Sequence, residues 1–268
     1  MKERLDVLLT AKGFCSSRER ARNRILAGDI LVNGSVVLKP GTAVSEQDTI
    51  TVTGEDMRYV GRGGYKLEKL LTDYAIRLDG LRCVDVGAST GGFTDCMLQF
   101  GASKVYAIDV GTGQLAETLR NDSRVVSMEQ TNVRDVVAAD LEGETDFLAA
   151  DVSFISLTKV LPVFYGLVRD GGRIACLIKP QFEAGKAFVG KHGVVKDRKA
   201  HRNVLTEVLQ CAVMLGFGIE GLTWSPICGQ NGNIEYLFLA VKNGEKSSFM
   251  DRMSIERVVD EAFLHHSK

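Results

Sequence analysis

Between residues 83 and 178 the chain alternates short apolar runs with segments of helical period. The runs are Cys83–Gly87, Val105–Asp109, Val125–Glu129, Phe147–Val152 and Arg173–Ile178. Alternation of this kind predicts a mainly parallel sheet with helices on both faces, because a parallel neighbour can only start after a crossover brings the chain back. Two further runs, Gly218–Trp224 and Asn233–Val241, follow one another with no helix between them, and predict an antiparallel hairpin closing one edge of the sheet. The longest uncharged apolar stretch, Val208–Ile219, reads as a buried helix leading into a strand. Ser254–Leu264 reads as a terminal amphipathic helix packed on its own domain.

The first sixty residues have a different texture. Leu5, Leu8 and Leu9, then Ala21, Ile25 and Leu26, recur at helical spacing, while Asp29–Val32 and Val36–Leu38 flank the tight-turn pair Asn33-Gly34. Two short helices followed by a small antiparallel sheet, continuing through Thr49–Thr53, are expected. A boundary is expected after them, since the stretch from Gly54 to Tyr65 holds four glycines. The domains are therefore set at residues 1–56 and 66–268, with a linker over 57–65.

Composition narrows the class. With 268 residues, 45% hydrophobic, 25% charged and 7% aromatic, the chain is neither disordered nor collagenous nor membrane-embedded. The mixed charges of Met-Lys-Glu-Arg-Leu-Asp do not resemble a secretion signal, and the six cysteines include no C-x-x-C pair, so a reducing cytoplasmic protein without disulfides or bound metal is expected. His201, His265 and His266 lack metal-ligand spacing and are expected at the surface. The net charge of −1 names no partner. Its distribution is more telling: residues 1–24 hold seven basic side chains against three acidic ones. Arg18 and Arg22, four apart, share a helix face that Arg4 can join, and guanidinium forks suit phosphate oxygens. A second basic stretch, from Lys186 to Arg202, is expected as a solvated loop or one that clasps RNA.

Chemistry concentrates after the first apolar run. Asp85-Val86-Gly87-Ala88-Ser89-Thr90-Gly91-Gly92-Phe93 lies between a strand and a helix, where a doubly wound fold binds ligands and where glycines let the backbone approach them. The spacing is not the G-x-G-x-x-G of dinucleotide binders. Asp85 opening the loop and Asp109 closing the second strand suit a cofactor with an amino-acid end and a ribose, whose vicinal hydroxyls Asp109 can accept. Four charged residues stand at element ends or in a strand: Lys66, Asp151, Lys179 and Glu235. Glu235 interrupts an apolar strand and needs a partner there, and two lysines with two carboxylates sum to zero. A ribose hydroxyl is a weak acid, so methylating it calls for a base or an oriented electrostatic environment of this sort.

Several motifs are family signatures. Arg4-Leu5-Asp6, Gly13-Phe14-Cys15-Ser16-Ser17-Arg18, Gly28–Gly34 and Lys39 resemble the S-four-type RNA-binding domain. This implies an RNA contact surface made by Arg4, Arg18, Arg20, Arg22 and Lys39. The glycine loop resembles motif I of S-adenosylmethionine-dependent methyltransferases, closest to the FtsJ-like RNA 2′-O-methyltransferases. Lys66, Asp151, Lys179 and Glu235 match the catalytic tetrad of those enzymes in order. The linker R-Y-V-G-R-G-G-Y-K-L, A-D-V-S-F-I-S, I-K-P-Q-F-E and G-N-I-E-Y extend the resemblance to the TlyA family over nearly the whole chain.

The resemblance implies an α/β fold: a Rossmann-like class I methyltransferase with a mostly parallel seven-stranded sheet, preceded by a small α+β RNA-binding domain. It implies S-adenosyl-L-methionine as cofactor, held by Asp85, Gly87, Ser89, Gly91, Gly92, Phe93, Asp109, Asn132 and Asp151, and ribosomal RNA or ribosomal subunits as partner. The implied reaction is methylation of a cytidine 2′-hydroxyl in 16S rRNA, with 23S rRNA as a further target, and with Lys179 activating the hydroxyl. The competing readings are an inactive RNA-binding assembly factor and, from the family's haemolysin label, a membrane-lysing toxin. The intact tetrad opposes the first, and the lack of a membrane-length apolar segment opposes the second.

Overall fold

The computed structural model describes residues 2–15, 17–53, 58–244 and 252–267, and the chain forms two compact units, Met1–Arg58 and Tyr59–Lys268. In the first, β1 (Lys2–Arg4), α1 (Leu5–Ala11) and α2 (Arg18–Ala27) precede β2 (Ile30–Val32), β3 (Ser35–Val36), β4 (Ala43–Ser45) and β5 (Ile50–Val52). β1 pairs with β4, and β2 lies between β3 and β5, all antiparallel. The β2–β3 turn is Asn33-Gly34 with φ of 51° and 79°, the left-handed pair that a two-residue hairpin demands. Leu5, Leu9, Ala21, Ile25 and Ile30 are fully buried between helices and sheet.

Two guanidiniums of the basic face also have an internal partner. Asp6 is wholly buried and receives Arg4 Nε at 3.0 Å and Arg18 Nε at 3.0 Å, so these two guanidiniums serve an internal carboxylate. The hydrogen bond from Arg4 holds the Asp6 carboxyl down at about 2, against the cost of its burial, with Arg18 adding to the effect. Arg22 and Lys39 are exposed, and Arg20 is half-buried.

The second unit contains α3 (Gly63–Asp73), β6 (Arg82–Val86), α4 (Gly92–Gln99), β7 (Lys104–Ile108), α5 (Glu117–Arg120), β8 (Val125–Met128) and β9 (Thr145–Ala150). There follow α6 (Leu161–Leu167), β10 (Val168–Ile178), α7 (Pro180–Glu183), α8 (Arg198–Met214), β11 (Phe217–Trp224), β12 (Tyr236–Lys242) and α9 (Arg252–His266). The seven strands lie in the order β11-β12-β10-β9-β6-β7-β8. β10, β9, β6, β7 and β8 run parallel, and β12 runs against both of its neighbours. The expected parallel sheet with an antiparallel hairpin at its edge is what forms.

Strand side chains alternate between two cores. Val84, Val86, Leu148, Ile174 and Phe238 point to the face covered by α6, α8 and α9, while Cys83, Phe147, Ala175 and Leu237 point to the face covered by α3 and α4. α3 is too short to persist alone in water. It is held by Leu67, Leu70 and Leu71, each fully buried and each worth roughly 1.5–3 kcal/mol. No helix among the described residues is long and apolar enough to cross a membrane.

Three expectations change here. The linker set at 57–65 is, from Tyr59 onward, part of the second unit: Tyr59 is buried, Val60 N–H donates to Asp95 Oδ2 at 2.8 Å, and Gly63 already starts α3. Met57 lies outside the described residues. Two of the glycines that suggest a linker serve close packing, for a Cβ on Gly64 would collide with the Tyr59 ring and one on Gly61 with the Thr90 hydroxyl. The basic stretch ends in helix rather than loop, because Asp197 caps α8 by accepting from Lys199 N–H at 2.7 Å. Arg198 then pairs with Asp260 at 2.7 Å. His201 is not at the surface: it is fully buried, with Nδ1 2.8 Å from Tyr236 Oη and Nε2 2.9 Å from Val195 O. His266 is half-buried, its Nε2 2.9 Å from Ser225 O.

Candidate active site

The order of the strands reverses between β6 and β9, and the carboxyl ends of that pair open the crevice where ligands of doubly wound sheets bind. Gly87 leaves β6 with φ of +83°, and a Cβ there would lie 2.5 Å from Asp151 O. Only glycine lets the two strand ends approach so closely. Two adjoining cavities start from this point and share Gly87, Ser89 and Asp151. One, of about 500 Å³, is lined by Asp109, Val110, Asn132, Val133, Ser153 and Phe154 among others; the second, of about 290 Å³, by Arg62, Gly63, Lys66, Gly92, Phe93 and Cys228.

Asp109 closes β7 and accepts one backbone N–H on each oxygen, Ser89 N on Oδ2 and Gly111 N on Oδ1, both at 2.7 Å. A carboxylate oxygen has two acceptor directions, so each keeps one toward the cavity. Asn132 Oδ1 accepts from Arg134 N–H at 3.1 Å. Asp85 lines neither cavity. It is fully buried beneath the loop, and its Oδ2 accepts from Thr94 N–H at 2.8 Å and Thr94 Oγ1 at 2.6 Å, tying β6 to the first turn of α4. Burial raises its carboxyl to about 7 against those two hydrogen bonds, and the charges of Asp151 and Asp109 push the same way as burial. Gly91 also lies behind the lining, with φ of +96° and Leu115 and Leu119 packed where a side chain would go.

The four charged residues come together from four elements. Lys66 stands in α3, Asp151 directly follows β9, Lys179 directly follows β10, and Glu235 directly precedes β12. Glu235 thus stands ahead of the apolar strand it was expected to interrupt, at the end where an antiparallel strand enters the carboxyl rim of its parallel neighbours. Pro180 holds Lys179 in extended backbone and ends the strand there. Lys66 Nζ lies 2.7 Å from Glu235 Oε2 and 3.6 Å from Asp151 Oδ2, and Lys179 Nζ lies 2.6 Å from Asp151 Oδ1. Lys66 and Lys179 are each 8% exposed and Glu235 2%. For Lys66, burial acts to lower the pKa, but attraction to Asp151 and Glu235 prevails and holds the ammonium above the ordinary lysine value.

The structure adds residues that charge patterning could not single out. Ser153 Oγ accepts from Lys179 Nζ at 2.7 Å, and Gln181 Nε2 donates to Glu235 Oε1 at 3.4 Å. Gly229 packs its backbone over Glu235 so closely that a Cβ would overlap the carboxylate. Phe154 is 87% exposed with φ of +62°, a costly conformation for a bulky residue, and its ring lies 5.0 Å from that of Phe182. This aromatic pair lines a further open cavity of about 810 Å³ with Arg134, Lys159 and Lys186. Only the position of Ser153 and Phe154 right after a motif aspartate hints at them in the sequence.

Comparison with known proteins agrees with this geometry. The sequence model of FtsJ-like methyltransferases matches residues 59–242, across the whole of the cleft just described. The chain belongs to the FtsJ-like methyltransferase family. An S4 domain matches residues 3–50. The protein named 16S/23S rRNA (cytidine-2′-O)-methyltransferase TlyA, from Mycobacterium tuberculosis, is 44% identical over 87% of this chain and 87% of its own. Hemolysin A of Brachyspira hyodysenteriae is 42% identical, over 87% of this chain and 98% of its own. A solved structure from Streptococcus thermophilus, described as a candidate hemolysin, superposes with a TM-score of 0.79 at 43% identity, covering 99% of this chain and 97% of that one. The TlyA resemblance and the Rossmann-like methyltransferase fold read from the sequence are thereby shown.

Proposed function

We propose that this FtsJ-like methyltransferase uses S-adenosyl-L-methionine to methylate a cytidine 2′-hydroxyl of ribosomal RNA in the cytoplasm. The observation that carries the reading is the charge-neutral chain of ion pairs Glu235–Lys66–Asp151–Lys179, of which Lys66 and Asp151 line the cavity that begins at Gly87.

The residues present fit the cofactor. The open acceptor directions of Asp109 suit a vicinal ribose diol, Val110 and Val133 offer apolar walls to a flat base, and Gly87, where a Cβ would strike Asp151 O, keeps the two strand ends together at the rim of the cavity. Bound there, S-adenosylmethionine supplies a methyl group made electrophilic by its sulfonium. The protein's task is to bring a weakly acidic hydroxyl to it and take the proton. Lys179 is the base in this reading. Asp151 holds Lys179 with one oxygen and Lys66 with the other, and Glu235 anchors Lys66, so the lysine that reacts has a fixed address. The exposed Phe154 and Phe182 rings, flanked by Arg134, Lys159 and Lys186, suit an unstacked base with phosphates to either side. The S4 domain offers Arg20, Arg22 and Lys39 to folded RNA.

The test is direct. Incubated with tritiated S-adenosylmethionine and unmethylated ribosomal subunits, the protein labels rRNA, and Lys179→Ala abolishes labelling while still binding the cofactor in calorimetry. Equal transfer by the variant overturns the assignment of Lys179. Absence of transfer by the wild type favours an RNA-binding assembly factor instead. Mapping the labelled nucleotide identifies the subunit.

A further inference from the structure

The amine of Lys179 forms an ion pair with Asp151 Oδ1 at 2.6 Å and donates a hydrogen bond to Ser153 Oγ at 2.7 Å. From α7 it meets the Phe182 ring, with the centroid 5.8 Å away. Lys66 and Glu235 reach it only through Asp151. We propose that Ser153 is the positioning residue that aims the Lys179 lone pair at the methyl-accepting hydroxyl. This rests on the methyl-transfer reading above and names the group that orients its base.

The constraint on Lys179 is stereochemical. A tetrahedral Nζ has three positions besides its bond to Cε, and only the neutral amine, with two hydrogens and one lone pair, can take a proton. The Asp151 carboxylate draws a hydrogen to its side and repels the lone pair, without a directed hydrogen bond. With Asp151 alone, rotation about Cε–Nζ lets the other hydrogen and the lone pair exchange places. The hydrogen bond to Ser153 Oγ removes that freedom: one hydrogen points to Ser153, one lies on the side of Asp151, and the lone pair occupies the third position. In the reaction the acceptor O–H bond breaks as its proton joins Nζ, giving the ammonium. The oxygen's electron pair forms the O–CH3 bond, and the pair of the broken S–CH3 bond stays on sulfur. The ammonium then has three hydrogens, one of them still held by Ser153 and one still on the side of Asp151.

Ser153 is exposed and lines the larger of the two adjoining cavities, so changing it opens no hole in the core. In the full chain, Ser153→Ala lowers kcat on the order of tenfold, the factor one ordinary hydrogen bond is worth, with KM for cofactor and RNA unchanged. Ser153→Thr, which keeps the hydroxyl, restores kcat to near wild type. A second readout needs no turnover. Cofactor-free protein is labelled with trace acetic anhydride across a pH series, and the Lys179 peptide is quantified by mass spectrometry. The labelling midpoint moves to lower pH in Ser153→Ala, which has lost a charge-assisted acceptor of the ammonium, and stays in place in Ser153→Thr. The proposal is overturned by a wild-type kcat in Ser153→Ala, by a rise in KM for RNA without loss of kcat, or by an unmoved labelling midpoint. A wild-type chain that transfers no methyl sinks the underlying reading instead, a result distinct from an active enzyme indifferent to Ser153.

Discussion

Glu235→Gln tests whether the cluster is held by charge. The substitution keeps shape and removes one of two carboxylates that face two lysines. Glu235 is 2% exposed and its Oε2 lies 2.7 Å from Lys66 Nζ, so the variant leaves a nearly buried ammonium with only Asp151, at 3.6 Å, which is already engaged by Lys179. Removing one partner of a buried pair costs roughly 3–5 kcal/mol, and the remaining contact to Asp151 brings the expected loss to about 2 kcal/mol. For a domain of ~200 residues that lowers Tm by roughly 4–8 °C, measured by calorimetry at neutral pH. Because the folded Lys66 sits above its ordinary value, the pair's stability is complete below the unfolded lysine pKa of about 10.4 and disappears as pH rises through the folded one. In the variant that alkaline loss sets in at lower pH. Adding Lys66→Met removes the orphaned charge and recovers part of the Tm. A Glu235→Gln protein with wild-type Tm, or a double variant no better than the single, refutes the reasoning.

Two further predictions follow from particular groups. Burial raises Asp85 to about 7, so the protonated carboxyl contributes stability that is complete below the unfolded value of about 3.9 and lost as pH rises through the folded one. Asp85→Asn, which cannot ionise, flattens the dependence of Tm on pH between those values, and an undiminished slope counts against this account. In the N-terminal unit, replacing the exposed Arg22 and Lys39 with Ala weakens rRNA binding and reduces the slope of log K against log salt by roughly 1.4–1.8, the equivalent of two phosphates. An unchanged slope shows that neither side chain meets the backbone.

The sheet is legible in the sequence because buried parallel strands are short continuous apolar runs, and the glycine loop is legible because it stands between one such run and a helix. The tetrad emerges from residue order and family likeness, since its members are separated by most of the chain and no local pattern joins them. What escapes sequence reading shares one cause: contacts that no local pattern announces and only the fold brings about. Asp6 looks like an acidic residue diluting a basic helix, and only folding shows that it binds Arg4 and Arg18. The glycines around Tyr59 read as a linker because their lack of side chains signals a loop equally well as a site of tight packing. Asp85 stands where a cofactor amine is expected, yet strand alternation turns it inward to Thr94. His201 was open to better reading, since it keeps helical spacing with Val204, Leu205 and Val208 and so belongs to the buried stripe of α8.

β12 enters the sheet from the opposite direction to its parallel neighbours, and Glu235 at its entry comes later in the chain than the other three charged residues of the cleft. Lys66, Asp151 and Lys179 are therefore laid down well before it. Electrical balance depends on that late arrival: a copy in which β12 has not docked has two ammonium groups for one carboxylate and is ill-equipped to modify RNA.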